Sequence, residues 1–136
     1  KTVFAQFVKK QSTTVRSYNT VPVLFMSWAY ADKPEMTEQL ADAYTTAGND
    51  NNALVIPAGL AFARAHKQRP ELVLHAADKR HPSPAGTYLA AATTYAALYR
   101  QSPAGSSFRA TLDEPTAAFL QTVAWETVRD YYREGN

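Results

Sequence analysis

Two short runs of consecutive apolar residues, Val21 to Met26 and Ala53 to Ile56, interrupt a chain whose other apolar positions recur at helical spacing. Each run has strand length, and a strand apolar on both faces is what a buried parallel sheet needs. Pro22 is tolerated only near the start of the first strand. Val3, Phe4, Phe7, Val8 and Val15 predict an amphipathic helix over 2–17 packed on the sheet, with Asn19 as its stop. Met36, Leu40, Ala43, Tyr44 and Ala47 mark a second helix, opened by a capping box of Asp32 and Glu35 and closed by Gly48. A short helix over Leu60 to His66 is broken by Gln68-Arg69-Pro70, and the apolar segment Leu72-Val73-Leu74 delivers the chain to Asp78. Tyr88, Leu89, Ala92, Tyr95, Ala96 and Tyr99 define a strong helix over 84–101. Phe119, Leu120, Val123, Val128 and Tyr131 define a last helix, capped by Asp113 and running to Arg133.

The order is helix, strand, helix, strand, short helix, loop, helix, helix, an α/β pattern with a parallel sheet. The length of 136 residues fits one domain. A parallel sheet of only two strands leaves edges that need pairing. The chain therefore reads as the second half of a doubly wound domain. It opens Lys1-Thr2-Val3-Phe4, with no Met and no signal-peptide pattern, so a processed or truncated product is expected.

Composition narrows the function classes. Net charge is +2 from 14 basic and 12 acidic side chains, and no Lys/Arg run exceeds two residues, which argues against a nucleic-acid binder. The absence of cysteine excludes disulfides, zinc-thiolate sites and Cys nucleophiles, but does not fix the compartment. No apolar run approaches the roughly 20 residues of a membrane span.

The chemistry concentrates in Asp78-Lys79-Arg80-His81-Pro82-Ser83-Pro84-Ala85-Gly86. A carboxylate stands three residues before an imidazole, and a helix starts at once, with Ser83 placed to cap it and Pro84 at its first position. Such a pair can act as the acid and base of a hydrolytic triad, the carboxylate fixing the imidazole tautomer and the imidazole taking a proton from a hydroxyl. The plain alternative is that Asp78 and His81 cap and solvate a helix start. His75, Asp78 and His81 also form an H-x-x-D-x-x-H array, which could hold a metal, but Pro82 argues against the helix that would align them. Ser27 sits at a strand end without the glycine neighbours of a nucleophile turn. Ser106 and Ser107 follow Gly105 with no strand before them. Trp28 and Tyr30 follow the first strand's C-terminal end, where sites form in open α/β sheets, and are candidates to line a substrate or to pack under a helix.

The block Asp78-x-x-His81-Pro82-Ser83-x-x-Gly86 after two parallel strands resembles the last conserved block of the SGNH (GDSL-type) hydrolases. Leu24-Phe25-Met26-Ser27-Trp28-Ala29-Tyr30, Pro34-Glu35-Met36 and Val55-Ile56-Pro57-Ala58-Gly59 resemble the SGNH-like branch of bacterial proteins with unassigned substrate. The resemblance covers most of 1–101. It implies the C-terminal half of a flavodoxin-like three-layer α/β/α domain and ester hydrolysis through a Ser-His-Asp triad, with no cofactor. His81 maps to the general base and Asp78 to its orienting acid. The family's serine, glycine and asparagine, the nucleophile and the oxyanion-hole positions, lie in a first half with no counterpart here. The implied partners are a small-molecule or carbohydrate ester, with O-acetylated carbohydrate favoured, and the upstream half of the same polypeptide. The reading from another class is a non-catalytic α/β domain that binds a ligand or a partner chain.

Overall fold

The computed structural model describes residues 2–133, and within them the elements are α1 (Thr2–Ser17), β1 (Val23–Phe25), α2 (Met36–Asp50), β2 (Leu54–Ile56), α3 (Ala58–Gln68), α4 (Pro84–Tyr99) and α5 (Glu114–Arg133). β1 and β2 pair in parallel, with Val23 opposite Leu54, Leu24 opposite Val55 and Phe25 opposite Ile56. The chain is α/β, as the two apolar runs predict, and helices carry most of its mass.

Side chains alternate between the two faces of a strand. Leu24, Met26 and Val55 cluster with Ala41 and Tyr44 of α2. Ile56 clusters with Ala96 and Ala97 of α4 and Val128 of α5. Helices therefore cover both faces of β2. A larger cluster joins α3, α4 and α5 through Phe62, Leu89, Leu120 and Val123, all 3% exposed or less. Burying each of these side chains contributes about 1.5–3 kcal/mol. The two sheet edges differ. Tyr132 Oη donates to the Val55 carbonyl at 2.6 Å, and the Tyr131 hydroxyl shares a hydrogen bond with Thr45 Oγ1 of α2 at 2.8 Å. The end of α5 thus wraps the outer edge of β2.

Several local expectations are met. Asn19 ends α1 in a left-handed conformation (φ 58), and Asp113 caps α5 by accepting from the Thr116 N–H at 2.9 Å. Others are corrected. α1 leans chiefly on α2, where the Phe4 and Tyr44 rings meet at a tilt with 4.9 Å between centroids. α2 has no capping box: it starts at Met36 after Glu35, with no side-chain cap. The carbonyls of Lys33 and Pro34 already take the Met36 and Thr37 N–H groups, and Asp32 is drawn 3.9 Å from Lys79. Gly48 does not end α2 but lies inside it. A Cβ there would fall 2.5 Å from Val55 Cγ2, so the residue's small size lets helix and strand touch.

Gly86 plays the matching part for α4. A Cβ would lie 2.1 Å from the Leu74 carbonyl oxygen and 3.0 Å from the Phe62 ring. Main chain faces main chain here, so Gly86→Ala is expected to cost about 1–3 kcal/mol as overpacking does. Urea unfolding should show a lower midpoint at unchanged slope. A raised midpoint, the outcome helix propensity alone would give, would mean that the 72–74 segment yields freely.

Candidate active site

The Asp78–His81 loop is built from its ends inward. Ser83 Oγ accepts from the Gly86 N–H (3.1 Å) and donates to the Val73 carbonyl (2.7 Å), so it both caps α4 and ties it to the preceding segment. Pro84 takes the first turn, where its missing N–H is not needed. His75 and Pro82 form an antiparallel bridge, flanked by hydrogen bonds from Ser83 N–H to Leu74 (2.9 Å) and from Ala76 N–H to His81 (2.8 Å). Residues 76–81 are therefore a loop pinned at its base.

Lys79 turns this loop at φ 62. The left-handed region costs a non-glycine residue about 1–2 kcal/mol. The turn aims the N–H groups of Arg80 and His81 back at Asp78 Oδ1, at 3.0 and 2.9 Å, and leaves Oδ2 to the His81 Nδ1. An ionised carboxylate only accepts, so Nδ1 carries the proton and the neutral ring keeps its lone pair on Nε2. Among the described residues nothing is hydrogen-bonded to Nε2, and the His81 side chain is 81% exposed. The His81 ring first, then the Arg80 and His81 N–H groups, hold the Asp78 carboxyl well below the usual carboxylate range.

The segment after β1 latches the loop in place. Trp28 Nε1–H donates to the Arg80 carbonyl (2.9 Å), Ala31 N–H to the Lys79 carbonyl (3.0 Å), and His75 Nε2–H to the Ala29 carbonyl (2.9 Å). Each such bond is worth about 1 kcal/mol net. The Trp28 ring stacks on Phe62 at 4.4 Å, and His75 meets the same ring edge-on at 5.6 Å. The Arg80 guanidinium lies 4.9 Å over the Tyr30 ring. The exposed Lys79–Asp32 pair at 3.9 Å adds little.

The four residues singled out from the sequence thus come together: Asp78 and His81 bond directly, and Trp28 and Tyr30 reach the loop through Arg80. His75 does not join them as a ligand, because its Nε2–H is given to Ala29. Among the described residues, no three His, Cys, Asp or Glu side chains are grouped to hold a metal ion. No serine hydroxyl bonds to His81 among those residues, and Ser83 is occupied as the cap. Arg80, Phe62 and His75 carry the loop's support and were not expected to. Their partners lie outside the loop, 46 residues away for His75 and 52 for Arg80, so local spacing holds no signal of them.

No protein-family model matches the chain, and no curated protein matches it. Among solved structures it is similar to a DUF4886 family protein from Bacteroides uniformis, with a TM-score of 0.79 at 21% identity over 89% of this chain and 54% of that one. The likeness is one of fold, and the chain spans about half the length of that protein.

Two measurements test the site's geometry. The Asp78 carboxyl has its pKa lowered by folding, so the pair's contribution to stability is present above the ordinary carboxylate value of about 4 and is lost as pH falls through the lowered one. Carbon NMR should find Asp78 still ionised at about pH 3, and nitrogen NMR should find the proton on Nδ1 of His81; titration at the ordinary value would mean the bond does not form in solution. Trp28→Phe keeps the stack on Phe62 and removes only the N–H to Arg80. It should lose about 1 kcal/mol of stability and broaden the His81 ring signals. Unchanged ring signals would show that the latch does not hold the loop.

Proposed function

We propose that this chain supplies the acid and base of a serine ester hydrolase of the SGNH type. The observation that carries the reading is the Asp78–His81 pair with its tautomer fixed and Nε2 open, on a pinned loop beside the C-terminal end of a parallel strand. In open α/β sheets that end is where ligands bind. The domain to which the chain contributes would be a flavodoxin-like three-layer α/β/α fold, of which this is the C-terminal half. Helices on both faces of β2 support that reading.

His81 Nε2 would take the proton of a serine hydroxyl delivered by polypeptide outside these residues, as the serine oxygen bonds to the ester carbonyl carbon. The imidazolium, stabilised by the Asp78 carboxylate, then gives that proton to the departing alkoxide, which leaves as the alcohol. Water attacks the acyl-serine with His81 as base again, and the acid is released with the serine restored. Donors to the developing oxyanion would come from the same outside polypeptide, each worth about 3 kcal/mol. O-acetylated carbohydrate is the substrate class that family analogy favours. Of the two aromatics near the loop, Tyr30 is the better placed to line a substrate. Trp28 has committed one ring face to Phe62 and its N–H to Arg80.

The test is p-nitrophenyl acetate turnover by the natural gene product, including whatever is encoded before Lys1, against its His81→Ala and Asp78→Asn variants. His81→Ala should lower kcat at least about a thousandfold with folding intact by circular dichroism. Asp78→Asn should fall between the two. Equal rates for the parent and His81→Ala would remove His81 from catalysis and leave a non-catalytic binding domain as the reading.

A further inference from the structure

The loop that carries His81 also carries two cations, Lys79 and Arg80, and they differ in what they face. Lys79 meets the Asp32 carboxylate at 3.9 Å. The Asp78 carboxylate is occupied by the His81 ring and by the Arg80 and His81 N–H groups. Among the described residues no carboxylate forms an ion pair with the Arg80 guanidinium. Within the loop, the Arg80 charge is therefore the one without a counter-ion.

That exposed guanidinium is nevertheless held in place. The Arg80 N–H donates to Asp78 Oδ1 at 3.0 Å, and its carbonyl accepts from Trp28 Nε1 at 2.9 Å, so the main chain at its root is fixed on both sides. At the far end the guanidinium carbon lies 4.9 Å from the centre of the Tyr30 ring, and Nη1 donates to the Asp78 carbonyl at 3.3 Å. Among the described residues this is the one bond made by its five N–H donors. An arginine that grips a ligand normally loses rotamer freedom in doing so; here two tethers already restrict it, so a ligand meets a preorganised cation.

The chemistry of the group says what it takes. A guanidinium fork matches the two coplanar oxygens of a carboxylate. One uncommitted positive charge balances a carboxylate, whereas a phosphate monoester brings about 1.5 to 2 negative charges. Arg80 directly precedes His81, and adjacent Cα atoms are about 3.8 Å apart, so the two side chains start from one point of the loop and one small molecule can span them. Where the acyl group is acetyl it carries no second functional group, and the carboxylate must then belong to the alcohol.

We infer that Arg80 is a specificity-determining residue that binds a carboxylate on the alcohol portion of the substrate, so that the preferred ester is an acetylated sugar carboxylate and not a neutral sugar. The inference rests on the proposed esterase function and adds the charge of the substrate to it.

The natural gene product is assayed with 4-acetoxybenzoate and with its methyl ester, two acetates that differ by one negative charge. Each kcat/KM is divided by that ester's own rate with hydroxide. The parent should prefer the anionic ester at least about tenfold on this scale, and Arg80→Gln should remove the preference. A parent without the preference would overturn the inference. An equal loss on both esters in Arg80→Gln would also overturn it, by making Arg80 a support of the loop and nothing more. A second measurement needs no variant. 4-Acetamidobenzoate, whose amide resists hydrolysis, should inhibit p-nitrophenyl acetate turnover at least about tenfold more tightly than its methyl ester, and added salt should narrow the gap. Equal inhibition by the two would count against a carboxylate site and overturn the inference. All of these outcomes leave the esterase reading standing. Turnover of neither ester above its hydroxide rate in the parent would instead overturn the esterase reading, and this inference with it.

Discussion

Parallel pairing of β1 with β2 is the constraint from which the other features follow. Two parallel strands cannot be joined by a tight turn, so a crossover of a dozen or more residues is obligatory, and α2 supplies it. Three paired residues on each strand provide few ladder bonds of their own. The pair persists because helices bury what it carries. α2 seals the Leu24, Met26 and Val55 face, α4 and α5 seal Ile56, and Tyr132 occupies the Val55 carbonyl that β2 would otherwise present to solvent. Gly48 and Gly86 are where small size is needed for this, because each stands where a Cβ would strike the strand side chain or the main chain opposite.

The site is a second consequence. Because β1 and β2 run in parallel, the segments that leave them emerge on one side of the sheet. The chain after β1 meets the 76–81 loop there, through two hydrogen bonds and a cation over Tyr30, with a third hydrogen bond to His75 at the loop's base. The loop itself is exposed, and an exposed histidine–carboxylate pair contributes little to stability. The loop nevertheless keeps Lys79 in a left-handed conformation, held by the stacked Trp28 and the bridge at its base. A strained residue kept in place by surrounding contacts is the pattern found at functional sites.

Much of this was legible in the residues, and what was not has a common physical origin. The two strands, the Ser83 and Asp113 caps and the Asp78–His81 bond depend on neighbours within a few positions, where spacing is informative. The capping box of Asp32 and Glu35 does not form because α2 begins only at Met36, and Asp32 is drawn toward Lys79. Gly48 was misread because a glycine near a helix end and a glycine under a strand look alike until Val55 is in place. The Trp28 indole on Arg80 joins positions 52 apart, and Tyr132 on Val55 joins positions 77 apart. Pairings of that separation are set by the assembled layers and leave no local mark.

The open edge and the candidate site bear on each other. Trp28, Ala29 and Ala31, which latch the loop, directly follow β1, and β1 is the strand with an unfilled side. A parallel strand added there would end level with β1 and release its own following segment on the side of the sheet where Trp28 meets the loop. A strand added beyond β2 would instead have to displace Tyr132, and its end would be separated from Trp28 by the width of β2. Additions at the two edges therefore differ in how near they fall to the segment that holds the loop.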